Sequence, residues 1–367
     1  MNILQIYPKS DYFTGAAIQL RDLAAGLAGR GHHVVVATRP NPNWERACAA
    51  GLMVHATVPM RSGIDLASAW RLARIIREHR IDVVHCQKGR ARTLALLAGL
   101  AVKIPVLILN RGVSFLPDRW SRLGYTTSRV TAIVAVCESI KRGLVRAGVP
   151  AGKIEVIYSG TDVGRFHPGV DGRGIRSELG LGPGHALVTQ VGIRSWRGND
   201  DVLEAMTRVC HVAPHARLLF VGAPPPRVQS LRDKAFRRGI GESVFVLGHR
   251  EDVPEILSGS DLVVDASYAG LGLTGSLREA LAVETPVVAT DIEGHPELIV
   301  EGETGLLVPP RDPDALARAI RRVLDNPTWA QTMARAGCKR VDAEFSLRAK
   351  LDATEALYRR LAEAPAA

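Results

Sequence analysis

The chain has 367 residues, 46% hydrophobic and 23% charged, which excludes a disordered chain and is long enough to bury two cores of ordinary domain size. Its formal charge of +10 is uneven, because residues 1–150 hold 21 Lys and Arg against 8 Asp and Glu, whereas residues 151–367 hold 26 against 29. The five cysteines, Cys48, Cys86, Cys137, Cys210 and Cys338, show no C-x-x-C spacing, which argues against a disulfide frame or a zinc site and for a reducing compartment.

No leader or membrane span is expected. MNILQIYPKSD lacks a basic stretch followed by a long apolar run, and Leu94–Leu109 is interrupted by Lys103 and Pro105. The chain starts with a buried strand at Asn2–Ile6. A loop through Thr14 and Gly15 follows, then a helix over Ala16–Ala28 and a strand at Val34–Ala37. Gly15 stands where a ligand can approach the backbone, or simply where a helix begins. Residues 65–80 alternate apolar and basic at helical spacing, and Val83-Val84, Val106–Leu109 and Ala132–Val136 continue the strands. Asn110-Arg111-Gly112 and Glu138-Ser139 follow two of these strands, the place where α/β proteins put ligand contacts, although Glu138 is equally suited to a helix N-terminus. After a strand at Ile154–Tyr158 the pattern stops, and the Gly- and Pro-containing residues 164–185 read as a linker.

A second α/β series then runs from the strand Ala186–Val191 through Gly192-Ile193-Arg194-Ser195-Trp196-Arg197-Gly198, the helix Asp200–Val209 and the strands Arg217–Val221 and Val244–Leu247. Next comes the strand Leu262–Val264, a turn with Gly270, Gly272 and Gly275, a helix opening at Ser276-Leu277-Arg278-Glu279 and the strand Pro286–Ala289. Strand, glycine turn and helix start form an anion site, because the free amides of the first helical turn point at the ligand. Two other readings fit the same residues. Ser276 and Glu279 have capping-box spacing. Gly270-x-Gly272-x-x-Gly275, with Asp291 about 20 residues on, is the dinucleotide fingerprint of an oxidoreductase. Helices at Asp314–Leu324, Thr328–Ala343 and Leu347–Ala362 close the chain. The fold class is α/β, with two doubly wound domains whose strand ends face a cleft.

Several motifs occur together in order: Thr14-Gly15-Ala16; Ile157-Tyr158-Ser159-Gly160-Thr161-Asp162 with Arg165-Phe166; Val191-Gly192-Ile193-Arg194 with Arg197-Gly198; Leu247-Gly248 with Asp252-Val253 and Asp261; Pro286–Ala289; Gly294-x-Pro296-Glu297; and Gly302-x-x-Gly305-Leu306-Leu307-Val308-Pro309. Over nearly its full length the chain resembles the retaining family 4 glycosyltransferases of the GT-B fold. The resemblance implies two Rossmann-like domains, 1–163 for the acceptor and 186–346 for the donor, with the helix 347–367 crossing back to the first. It implies transfer from a nucleotide-sugar, UDP-sugar by expectation, without a metal. Arg194 and Arg197 match the family's cation pair on the diphosphate. Gly15, Ala16, Gly192, Thr274, Gly275, Ser276 and Leu277 fall at donor-binding positions, and Glu279 matches the glutamate on the ribose. The first glutamate of the family, eight positions earlier, is replaced by Leu271, and the family's histidine after the strand is Arg111. Asn110, Glu138, Leu271 and Gly272 are candidates for contacting sugar or acceptor. A non-catalytic scaffold and a nucleotide-sugar epimerase are the competing readings.

The basic first half implies an anionic or lipid-linked acceptor and peripheral contact with an anionic membrane from the cytoplasmic side. It lacks aromatic interleaving and any nucleic-acid module, so nucleic acid is not an expected partner.

Overall fold

The computed structural model describes residues 1–117, 119–270 and 272–363. The chain divides into two compact units: residues 1–160 with 347–367, and residues 161–346. The first holds a seven-stranded sheet of β1 (Asn2–Tyr7), β2 (His33–Thr38), β3 (Val54–Thr57), β4 (Val83–Cys86), β5 (Val106–Arg111), β6 (Ala132–Ala135) and β7 (Ile154–Val156). The second holds six strands: β8 (Ala186–Val191), β9 (Ala216–Val221), β10 (Val244–Val246), β11 (Leu262–Asp265), β12 (Val287–Thr290) and β13 (Leu306–Val308). Strand orders are 3-2-1-4-5-6-7 and 10-9-8-11-12-13, and the pairs are parallel. Continuous Val, Ile and Leu runs suit strands covered by helices on both faces. Each unit is therefore a doubly wound α/β sheet of the expected class.

Three boundaries differ from the sequence reading in ways that touch function. Asn110 and Arg111 end β5 rather than follow it, and Glu138 is the first residue of the helix Glu138–Arg146. The expected linker, 164–185, is structured within the second unit. It contains the helix Arg173–Glu178, whose Ile175 is buried with Leu187, Leu219, Val221 and Ile256. The Arg176 guanidinium donates to the Gly259 and His185 carbonyls and pairs with Asp261 at 2.9 Å. A Cβ at Gly172 would lie 2.1 Å from the Gly259 nitrogen, so glycine here serves close backbone packing, not flexibility. The chain changes unit at Gly160–Thr161 and at Ser346–Leu347, and Thr161 N–H donates to the Phe345 carbonyl at 2.8 Å.

The helix Leu347–Glu363 returns to the first unit. It buries Leu351, Leu357 and Tyr358 against the helix Gly15–Gly29, and Arg30 pairs with Asp352 and Glu355 at 2.6 and 2.9 Å. Tyr358 begins a buried polar chain. Its hydroxyl accepts from Gln5 Nε2 at 3.1 Å and reaches His85 Nδ1 at 2.6 Å. Gln5 Oε1 accepts from Gln87 at 2.9 Å, and Gln87 Oε1 accepts from Asn110 at 2.9 Å. Burial, with Lys350 adding a like charge, lowers the His85 pKa to about 3, so the ring is neutral in the fold.

In the unfolded chain His85 titrates near pH 6.5. Between pH 6.5 and 3 the unfolded state thus binds the extra proton, and stability falls as pH drops through that window. At pH 5 the first unit is expected to lose about 2 kcal/mol of opening free energy relative to pH 7, and His85→Gln should lose less. Protection factors of the β1 and β4 amides at both pH values would measure this; an equal loss in the variant would refute the assignment.

Candidate functional site

In the second sheet β9 and β10 extend to one side of β8, while β11, β12 and β13 extend to the other. The loops leaving the neighbouring ends of β8 and β11 therefore flank the switch point, where a doubly wound sheet places its ligand. These are loops 192–198 and 266–274. They are stitched together by Tyr268, whose N–H donates to the Trp196 carbonyl at 3.0 Å and whose hydroxyl donates to the Ser195 carbonyl at 2.7 Å. Gly198 has φ +61°, and a Cβ there would lie 2.0 Å from the Ala266 oxygen, so only glycine permits this approach.

Arg197, 9% exposed, lies at the centre. Its Nη1 is 2.7 Å from Asp265 Oδ2, and its Nη2 donates to the Val191 carbonyl at 2.6 Å. Thr274 Oγ1 and Ser276 Oγ lie 3.4 Å from the same guanidinium. Gly192, at φ +89°, faces it, and a Cβ there would come within 3.1 Å of Nη2. Asp265 is fully buried. Burial pushes its pKa up, but Arg197, His295 and Ser267 outweigh that and hold it below the usual carboxylate range.

Next to this pair His295 is also fully buried, and burial is the main reason its pKa is lowered. Its Nδ1 lies 2.8 Å from the Thr290 carbonyl and must donate to it. The neutral ring then offers Nε2 as acceptor, 2.9 Å from the Thr274 hydroxyl. Thr274 is the N-cap residue of the helix Gly275–Ala282, yet its side chain makes no cap hydrogen bond. The hydroxyl donates to His295 Nε2 and accepts no bond from the first turn of the helix. The amides of Gly275, Ser276 and Leu277 are left at the positive end of the helix without that cap.

This corrects the capping-box reading of Ser276 and Glu279. The helix starts at Gly275, so Ser276 lies inside it, and its hydroxyl faces Arg197. Glu279 is half-buried, with Oε1 3.4 Å from where a Gly275 Cβ would stand, so its carboxylate folds back over the first turn. Arg194 is exposed on the same loop as Arg197, with its guanidinium 6.0 Å from the Trp196 ring centre. Gly272 is buried in the neighbouring loop, and Leu271 lies outside the described residues. Sequence reasoning missed Asp265, His295 and Arg278. Arg278 is 2% exposed, burial pushes its pKa down to about 10, and it donates to Thr161 Oγ1 at 3.2 Å.

The remaining candidates lie in the first unit. Gly15 and Ala16 open the helix Gly15–Gly29, whose Thr14 cap accepts from Ala17 N–H, and a Cβ at Gly15 would meet no atom within 4 Å. Asn110 ends the polar chain described above. The Arg111 guanidinium donates to the Tyr125 hydroxyl at 3.2 Å and to the Phe115 carbonyl, which ties it within its own loop region.

The model of Glycosyltransferase Family 4 matches residues 13–165, and that of Glycosyl transferases group 1 matches 186–326. Among curated relatives, the chain is 29% identical over 311 residues to a GDP-mannose-dependent alpha-(1-6)-phosphatidylinositol monomannoside mannosyltransferase of Mycolicibacterium smegmatis, covering 80% of each. It is 28% identical over 214 residues to a lipopolysaccharide core biosynthesis mannosyltransferase of Rhizobium meliloti, covering 56% of this chain and 60% of the relative. Among solved structures, a glycosyltransferase from Rickettsia africae superposes with TM-score 0.89 at 19% identity over 99% of both chains. The Anabaena protein HepE in complex with UDP superposes with TM-score 0.87 at 19% identity, over 98% of this chain and all of that one.

Arg197→Ala leaves Asp265 buried without its counter-charge and is expected to cost about 3–5 kcal/mol of stability in urea unfolding of the second unit. Combining it with Asp265→Asn should recover a large part of that loss, giving a non-additive double-mutant cycle. Strict additivity would show that the two side chains are not coupled.

Proposed function

The chain belongs to glycosyltransferase family 4, with the GT-B fold, and from that premise we propose that it moves a hexose from a nucleoside diphosphate sugar to a glycan or lipid-linked acceptor in the building of a bacterial surface polymer. The observation that carries the reading is the site in the second unit: a guanidinium held at a switch point beside a helix mouth whose own cap residue is engaged elsewhere. A leaving diphosphate gains charge in the transition state, and preorganised cations and amides stabilise that charge best where water is scarce. Arg194, on the exposed part of the same loop, supplies a second guanidinium with the planar fork that suits phosphate. Gly192, Thr274, Gly275, Ser276 and Leu277 form the cradle, and Glu279 accepts hydroxyls of the ribose. In the first unit Asn110, Arg111 and Glu138 serve the acceptor.

In this reading the acceptor hydroxyl attacks the anomeric carbon on the face that the diphosphate leaves. The departing phosphate oxygen takes the proton, and the configuration is retained. No divalent cation is required, because the positive charge comes from the chain. The sequence expectation is a UDP-sugar. Relatives named as GDP-mannose-dependent support a GDP-sugar as the second reading. Family membership removes the oxidoreductase reading of Gly270-x-Gly272-x-x-Gly275.

The acceptor is expected at an anionic membrane surface on the cytoplasmic side. The helix Leu66–Glu78 carries Arg71, Arg74 and Arg77 and leaves Trp70 64% exposed, with Ile64 and Leu66 exposed beside it. An apolar side chain among cations fits the interface of an anionic bilayer.

Arg194→Ala should weaken binding of the cognate nucleoside diphosphate by about 1.5–3 kcal/mol, read by calorimetry with UDP and GDP, while leaving the melting temperature unchanged. EDTA should leave turnover intact, and the product should keep the donor's anomeric configuration by NMR. Turnover lost with EDTA, or product of inverted configuration, would overturn the mechanism. Donor conversion without an acceptor would instead indicate an epimerase. In a separate test, Trp70→Ala should reduce flotation with vesicles containing phosphatidylglycerol, and wild-type flotation that is indifferent to anionic lipid would refute the membrane assignment.

A further inference from the structure

The second sheet ends on one side at β10, which pairs with β9 and, among the described residues, with no other strand. Along its open side runs a groove of about 460 Å³, walled by Gln229, Arg232, Asp233 and Phe236 of the helix Pro225–Arg237, by Glu242, and by residues 244–247. An open strand edge is a template for a further strand. Beside this one Phe236 is 80% exposed. A Cβ at Gly241 would lie 3.4 Å from Phe236 Cα, so this end of the helix packs on the start of β10.

The backbone decides what can be added. Leu247 N–H donates to the Phe220 carbonyl at 2.8 Å, and the Leu247 carbonyl accepts from Ala223 N–H at 3.1 Å, so both groups face β9. Successive residues of a strand turn their polar groups to opposite sides, so Val246 and Val244 present theirs to the open side. The Val246 carbonyl accepts from Arg232 Nη2 at 3.4 Å, and Val244 N–H is spent on the Gly241 carbonyl. The Val246 N–H and the Val244 carbonyl remain for a neighbour. A donor and an acceptor two residues apart let the strand pair antiparallel with its own copy about a dyad at Phe245. Val246 N–H of each copy then meets the Val244 carbonyl of the other.

The charges suit the same dyad. The helix runs against the strand, with Arg232 at the end of β10 and Phe236 at its start. Asp233 accepts from Gln229 Nε2 at 2.7 Å, so the exposed Glu242 is the carboxylate of the groove left for a cation. Antiparallel pairing sets the start of one strand against the end of the other. Glu242 then faces Arg232 of the second copy, twice by symmetry, and Phe236 covers the half-buried Leu247 of the second copy. We infer that this edge is the interface of a homodimer, in which two β10 strands join the sheets of two second units across a twofold axis. The inference stands apart from the donor and the acceptor.

The test takes the full chain through about a hundredfold range of concentration in sedimentation velocity, where it is expected to pass from monomer to dimer. Glu242→Arg and Arg232→Glu each set like charges opposite one another and should weaken the dimer about tenfold. An equimolar mixture of the two variants places opposite charges at both contacts and should recover the wild-type affinity, as should the double swap R232E/E242R in one chain. Both positions are exposed, so circular dichroism of the variants should match the wild type. Phe236→Ser, also exposed, should abolish the dimer and keep the fold. Hydrogen exchange of the Val246 amide should slow as concentration rises. A chain that sediments as monomer at every concentration would overturn the inference. So would single variants that dimerise as the wild type does, a mixture that recovers nothing, or Val246 exchange indifferent to concentration.

Discussion

The buried pair of Arg197 and Asp265 determines the shape of the second unit's site. An ion pair out of water stabilises little by itself, because desolvating two charges offsets most of their attraction. Here it fixes a position. The guanidinium is held by Asp265 on one side and by the Val191 carbonyl on the other, so its orientation is set before any ligand arrives. Preorganisation of this kind makes a cation effective toward charge that develops in a transition state, since no reorganisation is needed at that moment.

His295 acts on the same site by a different route. A neutral imidazole whose Nδ1–H is spent on the Thr290 carbonyl can only accept at Nε2, and it takes the Thr274 hydroxyl. Threonine at an N-cap ordinarily closes the first turn with that hydroxyl. Here the Thr274 side chain makes no cap bond, a contact worth about 1 kcal/mol at an N-cap. Asp265, Arg197, Thr274 and His295 thus form one network in which each side chain sets the next.

Much of this was legible in the sequence, and the limits have physical causes. Strands appeared as short runs of Val, Ile and Leu because both faces are covered. Gly192, Gly198 and Gly275 marked the turns, and Arg197 was singled out. Asp265 was not, because an acidic residue closing an apolar run looks like the end of a strand, and local sequence does not report that an arginine 68 positions earlier meets it. His295 occupied the free position of Gly294-x-Pro296-Glu297, where only the tertiary neighbours Thr274 and Thr290 give it a role. Residues 164–185 read as linker because glycine and proline signal irregular backbone. Yet Gly172 is there so that two backbones can touch, and composition cannot tell a loop that packs from one that does not.

The polar chain in the first unit shows why the last helix returns. A core crossed by Gln5, His85 and Gln87 would carry unsatisfied donors and acceptors at a cost of about 1–3 kcal/mol each. Tyr358 arrives from the far end of the sequence to accept from Gln5 and meet His85. Gln87 can then accept from Asn110, whose Nδ2 is drawn inward, leaving Oδ1 and the second Nδ2–H for other partners. A side chain at the mouth of β5 is thereby oriented by a residue nearly 250 positions away. The helix Leu347–Glu363 is part of the first unit's interior rather than an appendage to it, and truncating the chain before Tyr358 would remove a core partner and the orientation of Asn110 together.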